Sequence, residues 1–198
     1  IKEKNKILII ITLIIGITSS FHFRNGVVYY YYWESSKKFT SQIYWRIPKL
    51  KPKTTVFLFG NNRLYQHNFA QAFPINYIYS KNLSTDLEYW VFNFAPHSFR
   101  TQATILDSSE FSVNIRNYLK YHGSSDKIIF MHYAEQGALH VLDSTNIFEI
   151  PDVDQLAKEY IHLSNTSLIE RGERLDYPEK YIGGLAPLTW DYYFQSAD

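Results

Sequence analysis

Two histidines, His132 and His140, flank Ala134-Glu135-Gln136-Gly137, a stretch with the composition of a hairpin turn. Set opposite each other on two strands, with Asp143 or Glu135 adding a carboxylate, they are the ligand types of a His/His/carboxylate zinc site. No H-E-x-x-H helix makes that assignment specific, and histidines on neighbouring strands also serve as polar surface or partly satisfied core. No metal site is therefore assigned. Asp86 with Glu88, and Asp107 with Glu110, are candidate carboxylate pairs for glycoside hydrolysis, where the separation of the two groups decides the outcome. Serines are many, but no G-x-S-x-G elbow exposes one as a nucleophile. With no cysteine at all, the chain has no disulfide, no thiolate ligand and no cysteine nucleophile. Gly183-Gly184 lacks the strand and helix that frame a phosphate-cradling loop. Neither a catalytic residue nor a cofactor follows from these patterns.

Aromatic side chains are the compositional anomaly. Phe, Trp and Tyr make up 18% of the residues, with 17 tyrosines. Trp90, Trp190 and Tyr192 are the candidate rings for stacking on a glycan. The same rings also suit an ordinary core, since large aromatics are mostly buried. Charge is balanced: 20 basic and 19 acidic residues leave a net charge of +1, spread without the basic stripe that neutralising a phosphate backbone requires. Nucleic acid is excluded as an expected partner.

The elements that must position these groups begin with an apolar run. Ile7 to Ile17 carries no charge, and Thr18 to Phe23 extends it to Arg24. That length of helix spans about 25 Å at about 1.5 Å per residue, against a hydrocarbon core of about 30 Å, and so reads as a short transmembrane segment over residues 1–24. A signal peptide and a buried core helix are the rival readings. The first needs a better cleavage site than Ile17-Thr18-Ser19-Ser20-Phe21, and the second needs a polar face that this run lacks. Lys2, Lys4 and Lys6, opposed by Glu3 alone, place the N-terminus in the cytoplasm by the positive-inside rule and everything after Arg24 outside it. Tyr29-Tyr30-Tyr31-Tyr32-Trp33 then supplies rings that favour the headgroup layer, so the lipid bilayer is an expected partner. Because the first residue is Ile1, the start reads as an internal cut with more chain ahead of it.

Residues 25–53 read as an amphipathic helix and linker. Val28, Tyr32, Phe39, Ile43 and Ile47 recur near a helical period, Pro48 ends the pattern, and Pro48 to Lys53 follows as the linker. Residues 54–198 read as an extracytoplasmic α+β domain, a mixed β-sheet with flanking helices, truncated at the C-terminus. Strands are expected at Thr54–Phe59, Leu87–Phe94, Phe111–Leu119, Lys127–Tyr133 and Leu139–Leu142, with turns at Gly60-Asn61-Asn62 and Gly123-Ser124-Ser125-Asp126. Helices are expected at Asp152–Leu163 and from about Thr189 to the chain end.

Words scattered over residues 33 to 198 resemble, in the right order, a group of large multi-pass bacterial membrane proteins described as uncharacterised or glycosyltransferase-like. Gln42 to Pro52 resembles the group's "Q-x-x-W-R-x-P-x-L-K-P", Asn76-Tyr77-Ile78-Tyr79 its "L-N-x-I-Y", Leu139 to Asp143 its "C-L-R-V-L-D", Leu163-Ser164-Asn165 its "L-S-N", and Trp190 to Asp198 its "W-C-Y-Y-F-E-K-A-D". Where the group has cysteine this chain has Ala138 and Asp191, as expected if those two cysteines are bonded to each other in relatives. Where an acidic residue is expected ahead of "L-N-x-I-Y", the chain has His67-Asn68. The resemblance implies an accessory extracytoplasmic domain of a membrane enzyme acting on lipid-linked sugar, with its acidic catalytic residues in an early loop outside this segment. The alternative is a single-span anchored domain that binds a cell-surface glycan or protein and is not an enzyme.

Overall fold

The computed structural model describes residues 2–60, 68–80, 84–94, 104–115, 118–134 and 138–170. It is a mixed helix-and-sheet structure led by a long apolar helix, as expected. Helix α1 runs unbroken from Lys2 to Arg46, 45 residues, or about 68 Å at about 1.5 Å per residue. Its interior has no proline, and it stops just ahead of Pro48, whose ring disfavours helix at the residue before it. Side chains from Glu3 to Arg24 are all exposed. The helix is long and apolar enough to cross a membrane, and none of its most apolar window is buried in the protein.

The last turns of α1 belong to the folded domain. Phe39, Ile43 and Ile47 are at most 1% exposed, whereas Val28, assigned to the same amphipathic face, is 40% exposed. The expected linker also becomes structure: Lys49–Leu50 (β1) pairs antiparallel with Ile169–Glu170 (β8), because Leu50 is itself a core residue.

The remaining elements are β2 (Thr55–Phe59), α2 (Asn68–Tyr79), β3 (Trp90–Asn93), β4 (Glu110–Ile115), β5 (Leu119–Ser124), β6 (Ile128–Tyr133), β7 (Leu139–Leu142) and α3 (Gln155–Tyr160). The central sheet has the order β3-β2-β6-β7, with β2 parallel to both β3 and β6 and with β7 antiparallel to β6. Every residue of β2 and of β6 is buried, as continuous apolar runs covered on both faces should be. One face carries Val56, Leu58, Ile129 and Met131 against α1 and α2. The other carries Phe57, Phe59, Phe92, Phe94 and Phe130 with Leu156 and Ala157 of α3. These phenylalanines stack with centroid separations of 4.8 to 6.4 Å, within the range where aromatic pairs attract.

Four expectations change. The strand expected at Phe111–Leu119 is a hairpin, β4 with β5, whose second strand continues through Gly123 and Ser124, both read as turn residues. The strand expected at Leu87–Phe94 shortens to four residues. Helix α2 was not expected, because its twelve residues carry no charge, contain Pro74 and show little amphipathic contrast between their faces. The helix expected at Asp152–Leu163 shortens to Gln155–Tyr160, and Asp154 caps it by accepting from the Leu156 N–H at 2.8 Å. The helix expected near Thr189 lies outside the described residues.

Candidate functional site at the carboxyl edge of the parallel strands

From β2 the chain passes through α2 to β3 on one side, and later returns to place β6 on the other side of β2. The gap between β2 and β6 is thus a topological switch point, the place where open α/β sheets bind ligands beyond the carboxyl ends of their strands. The described residues there are Gly60, Phe94, His132, Tyr133 and Ala134.

Gly60 has φ +106°, and a Cβ added to it would collide with the Tyr133 carbonyl oxygen and come within 3.2 Å of His132 Cε1. Glycine therefore lets the end of β2 close on the end of β6. The expected hairpin forms: Ala134 N–H donates to the Ala138 carbonyl at 2.8 Å, and His132 faces His140 in register. His132 is 2% exposed, and its Nδ1 has no hydrogen-bond partner among the described residues. Burial, then the neighbouring His140, hold the imidazole below its ordinary pKa, with Asp152 acting weakly the other way. His132 is accordingly a neutral ring with one unused nitrogen.

Folding stability should follow that titration. The unfolded chain takes up this proton below pH 6.5 while the native state resists it, so the contribution is level above that pH and stability falls as the pH drops below it. Urea unfolding of the detergent-solubilised chain across that range checks this. His132→Phe should flatten part of the slope, and an unchanged slope would show that His132 takes up its proton in the native state as readily as in the unfolded chain.

No three His, Cys, Asp or Glu side chains gather to hold a metal among the described residues. Asp143 instead closes its own turn, accepting from Thr145 N–H at 2.8 Å and Asn146 N–H at 3.0 Å, and with the Thr145 hydroxyl these bonds hold its carboxyl below the usual range. Glu135 lies outside the described residues. Of the two carboxylate pairs, Asp86 forms an ion pair with Lys53 at 3.4 Å, and Asp107 accepts the Tyr160 hydroxyl at 3.0 Å. Trp90, considered for glycan stacking, is 2% exposed and stacked on Tyr121 at 6.1 Å. Its position on β3 faces the Phe57–Phe92 core, so the ring is closed to a sugar. Trp190 and Tyr192 lie outside the described residues.

Sequence reading missed a set of buried polar joints. Gln42 Oε1 accepts the Leu139 N–H at 2.6 Å and ties α1 to β7. The Tyr79 hydroxyl donates to the Ile47 carbonyl at 2.7 Å and ties α2 to the end of α1. Ser164 Oγ donates to the Leu142 carbonyl at 2.6 Å and accepts the Phe130 N–H at 3.1 Å. Tyr121 places its hydroxyl 2.7 Å from Thr55 Oγ1, and burial pushes its pKa upward. Gln42, Asn76, Tyr79, Leu139, Leu142 and Ser164 all belong to the words that carried the resemblance. Polar residues embedded in apolar words were the available signal.

No family model, no curated protein and no solved structure matches this chain.

Proposed function

We propose that this segment is the extracytoplasmic accessory domain of a multi-pass, glycosyltransferase-like membrane protein, with the catalytic acids elsewhere in that protein. The observation that carries the reading is the continuity of α1, which leads from a lipid-compatible stretch directly into the core through Phe39, Ile43 and Ile47. A domain seated on such a helix keeps a fixed attitude to the bilayer, as a part that presents or steers a lipid-linked substrate must. The resemblance to glycosyltransferase-like proteins adds support, because its scattered words converge on the joints of one fold. Asp86, Asp107 and Asp143 are engaged in an ion pair, a hydroxyl contact and a turn, which suits a supporting role. The alternative of a lone glycan-binding module loses Trp90, one of its three candidate rings, to the core.

Sidedness can be read by expressing residues 1–198, which contain no cysteine, so that an introduced one is a unique label. In intact cells, Tyr118→Cys, at a position 76% exposed, should react with a membrane-impermeant maleimide, and Lys4→Cys should react only after permeabilisation. The reverse pattern would place the domain in the cytoplasm. Catalysis is tested in the complete protein: Asp86→Asn, Asp107→Asn and Glu110→Gln should leave sugar-transfer turnover nearly unchanged. A loss of about a hundredfold from any one, the size of a general acid–base contribution, would put the chemistry on this domain.

A further inference from the structure

We propose that the carboxyl edge of β2, β3 and β6 faces the bilayer and docks on its phospholipid headgroups. The inference rests on α1 crossing the membrane, and not on the glycosyltransferase reading or on which side the domain lies.

The direction in which α1 enters the domain fixes its attitude. Ser36 Oγ accepts from Gln71 Nε2 at 3.4 Å, near the start of α2, which leaves the carboxyl end of β2. Phe39 packs edge-on to Tyr133, the last residue of β6, at 5.8 Å. Gln42 then reaches Leu139, the first residue of β7. Only later do Ile43 and Ile47 accept from Tyr79, at the far end of α2. Leu50 accepts the Tyr89 hydroxyl just ahead of β3. Helix α1 therefore enters at the carboxyl edge and leaves at the amino edge, which puts Gly60, His132 and the paired residues Tyr133 and Leu139 on the membrane side.

The height follows from the ring collar. Tyr29, Tyr30, Tyr31 and Trp33 are 58 to 66% exposed, and at 3.6 residues per turn they spread over about 200° of the helix circumference. Rings over more than half of the circumference suit the headgroup layer, which surrounds a helix and favours such rings. Ser36, which bonds to Gln71 of α2, is three residues beyond Trp33, about 5 Å along the axis. Arg24 below the collar and Lys37 and Lys38 above it add cations suited to headgroup phosphates, with Glu34 as their nearest opposing charge and already paired with Lys37 at 2.5 Å. An edge set this close above the collar meets the lipid headgroups before it meets bulk solvent.

The test uses the full chain in phospholipid nanodiscs containing a lipid with a nitroxide on its headgroup. Fluorophores are attached at Ala134→Cys on the proposed membrane edge and at Asp126→Cys on the opposite edge, with Lys38→Cys as a second near probe should the first variant fail to fold. Quenching should be several-fold stronger at the near positions than at Asp126→Cys. Inserting seven alanines after Trp33, which lifts the domain about 10 Å while nearly preserving its rotation about the helix axis, should lower quenching at Ala134→Cys. Equal or reversed quenching, or near-edge quenching unmoved by the insertion, would overturn the proposal. Maleimide sidedness in cells is a separate readout, so failure of one reading leaves the other distinguishable.

Discussion

Asn76→Ala is expected to lower the unfolding free energy of the domain by about 3–5 kcal/mol, since it leaves several buried backbone groups without partners at about 1–3 kcal/mol each. Asn76 is 1% exposed. Its Nδ2 donates to the carbonyls of Ala72 and Tyr89, both at 2.8 Å. Its Oδ1 accepts from the N–H groups of Glu88 at 3.0 Å and Tyr89 at 3.1 Å. One side chain thus closes the junction between α2 and the start of β3, the step that forms the β2-α2-β3 unit. For a domain with a typical total stability of about 5–15 kcal/mol, that loss takes the chain to the margin of folding. Asn76→Asp keeps the acceptor but turns the donor into an oxygen facing two carbonyls, and should be at least as damaging. Urea denaturation of the solubilised chain, followed by tryptophan fluorescence, measures both. A cost under about 1 kcal/mol for Asn76→Ala, the range of a single solvent-compensated hydrogen bond, would show that the junction is held by other groups.

Gly60→Ala should cost about 2–6 kcal/mol, from about 1–3 kcal/mol of backbone strain and a similar amount of overpacking. The strain arises because φ at Gly60 is +106°, a conformation L side chains rarely adopt. The overpacking arises because the new Cβ meets the Tyr133 carbonyl, which is backbone of the adjacent strand and has no rotamer to change. Relief by His132→Ala in the same chain should therefore be partial at most. Gly16→Ala is the control: a Cβ there meets nothing within 4 Å, and in a helix interior the change should be neutral or stabilising by up to about 1 kcal/mol. If Gly60→Ala proves as mild as Gly16→Ala, the close approach of β2 to β6 is not an obligate feature of the fold.

The parts of this protein that were legible in its sequence are those written in one-dimensional patterns. The apolar run from Ile7, the extended apolar stretches that became β2 and β6, and the His132–His140 hairpin all depend on local periodicity and turn residues. Helix α2 was hidden because it packs close to both the sheet and α1, and carries no polar stripe to betray its period. Trp90 stayed open between glycan and core because an aromatic residue reads the same whether it stacks on a sugar or on Tyr121. His132 was visible as a candidate, but its neutrality and its unused nitrogen came from burial, which composition does not encode.

Sequence alone determined that a membrane-compatible helix leads into a mixed helix-and-sheet domain, because hydrophobicity and its period act over neighbouring residues and survive without tertiary context. Tertiary structure alone decided that β2 lies parallel between β3 and β6, that Gln42, Asn76, Tyr79 and Ser164 join elements distant in the chain, and which sheet edge α1 enters. Those are contacts between residues distant in the chain, and their energies depend on burial and mutual geometry that no local pattern records.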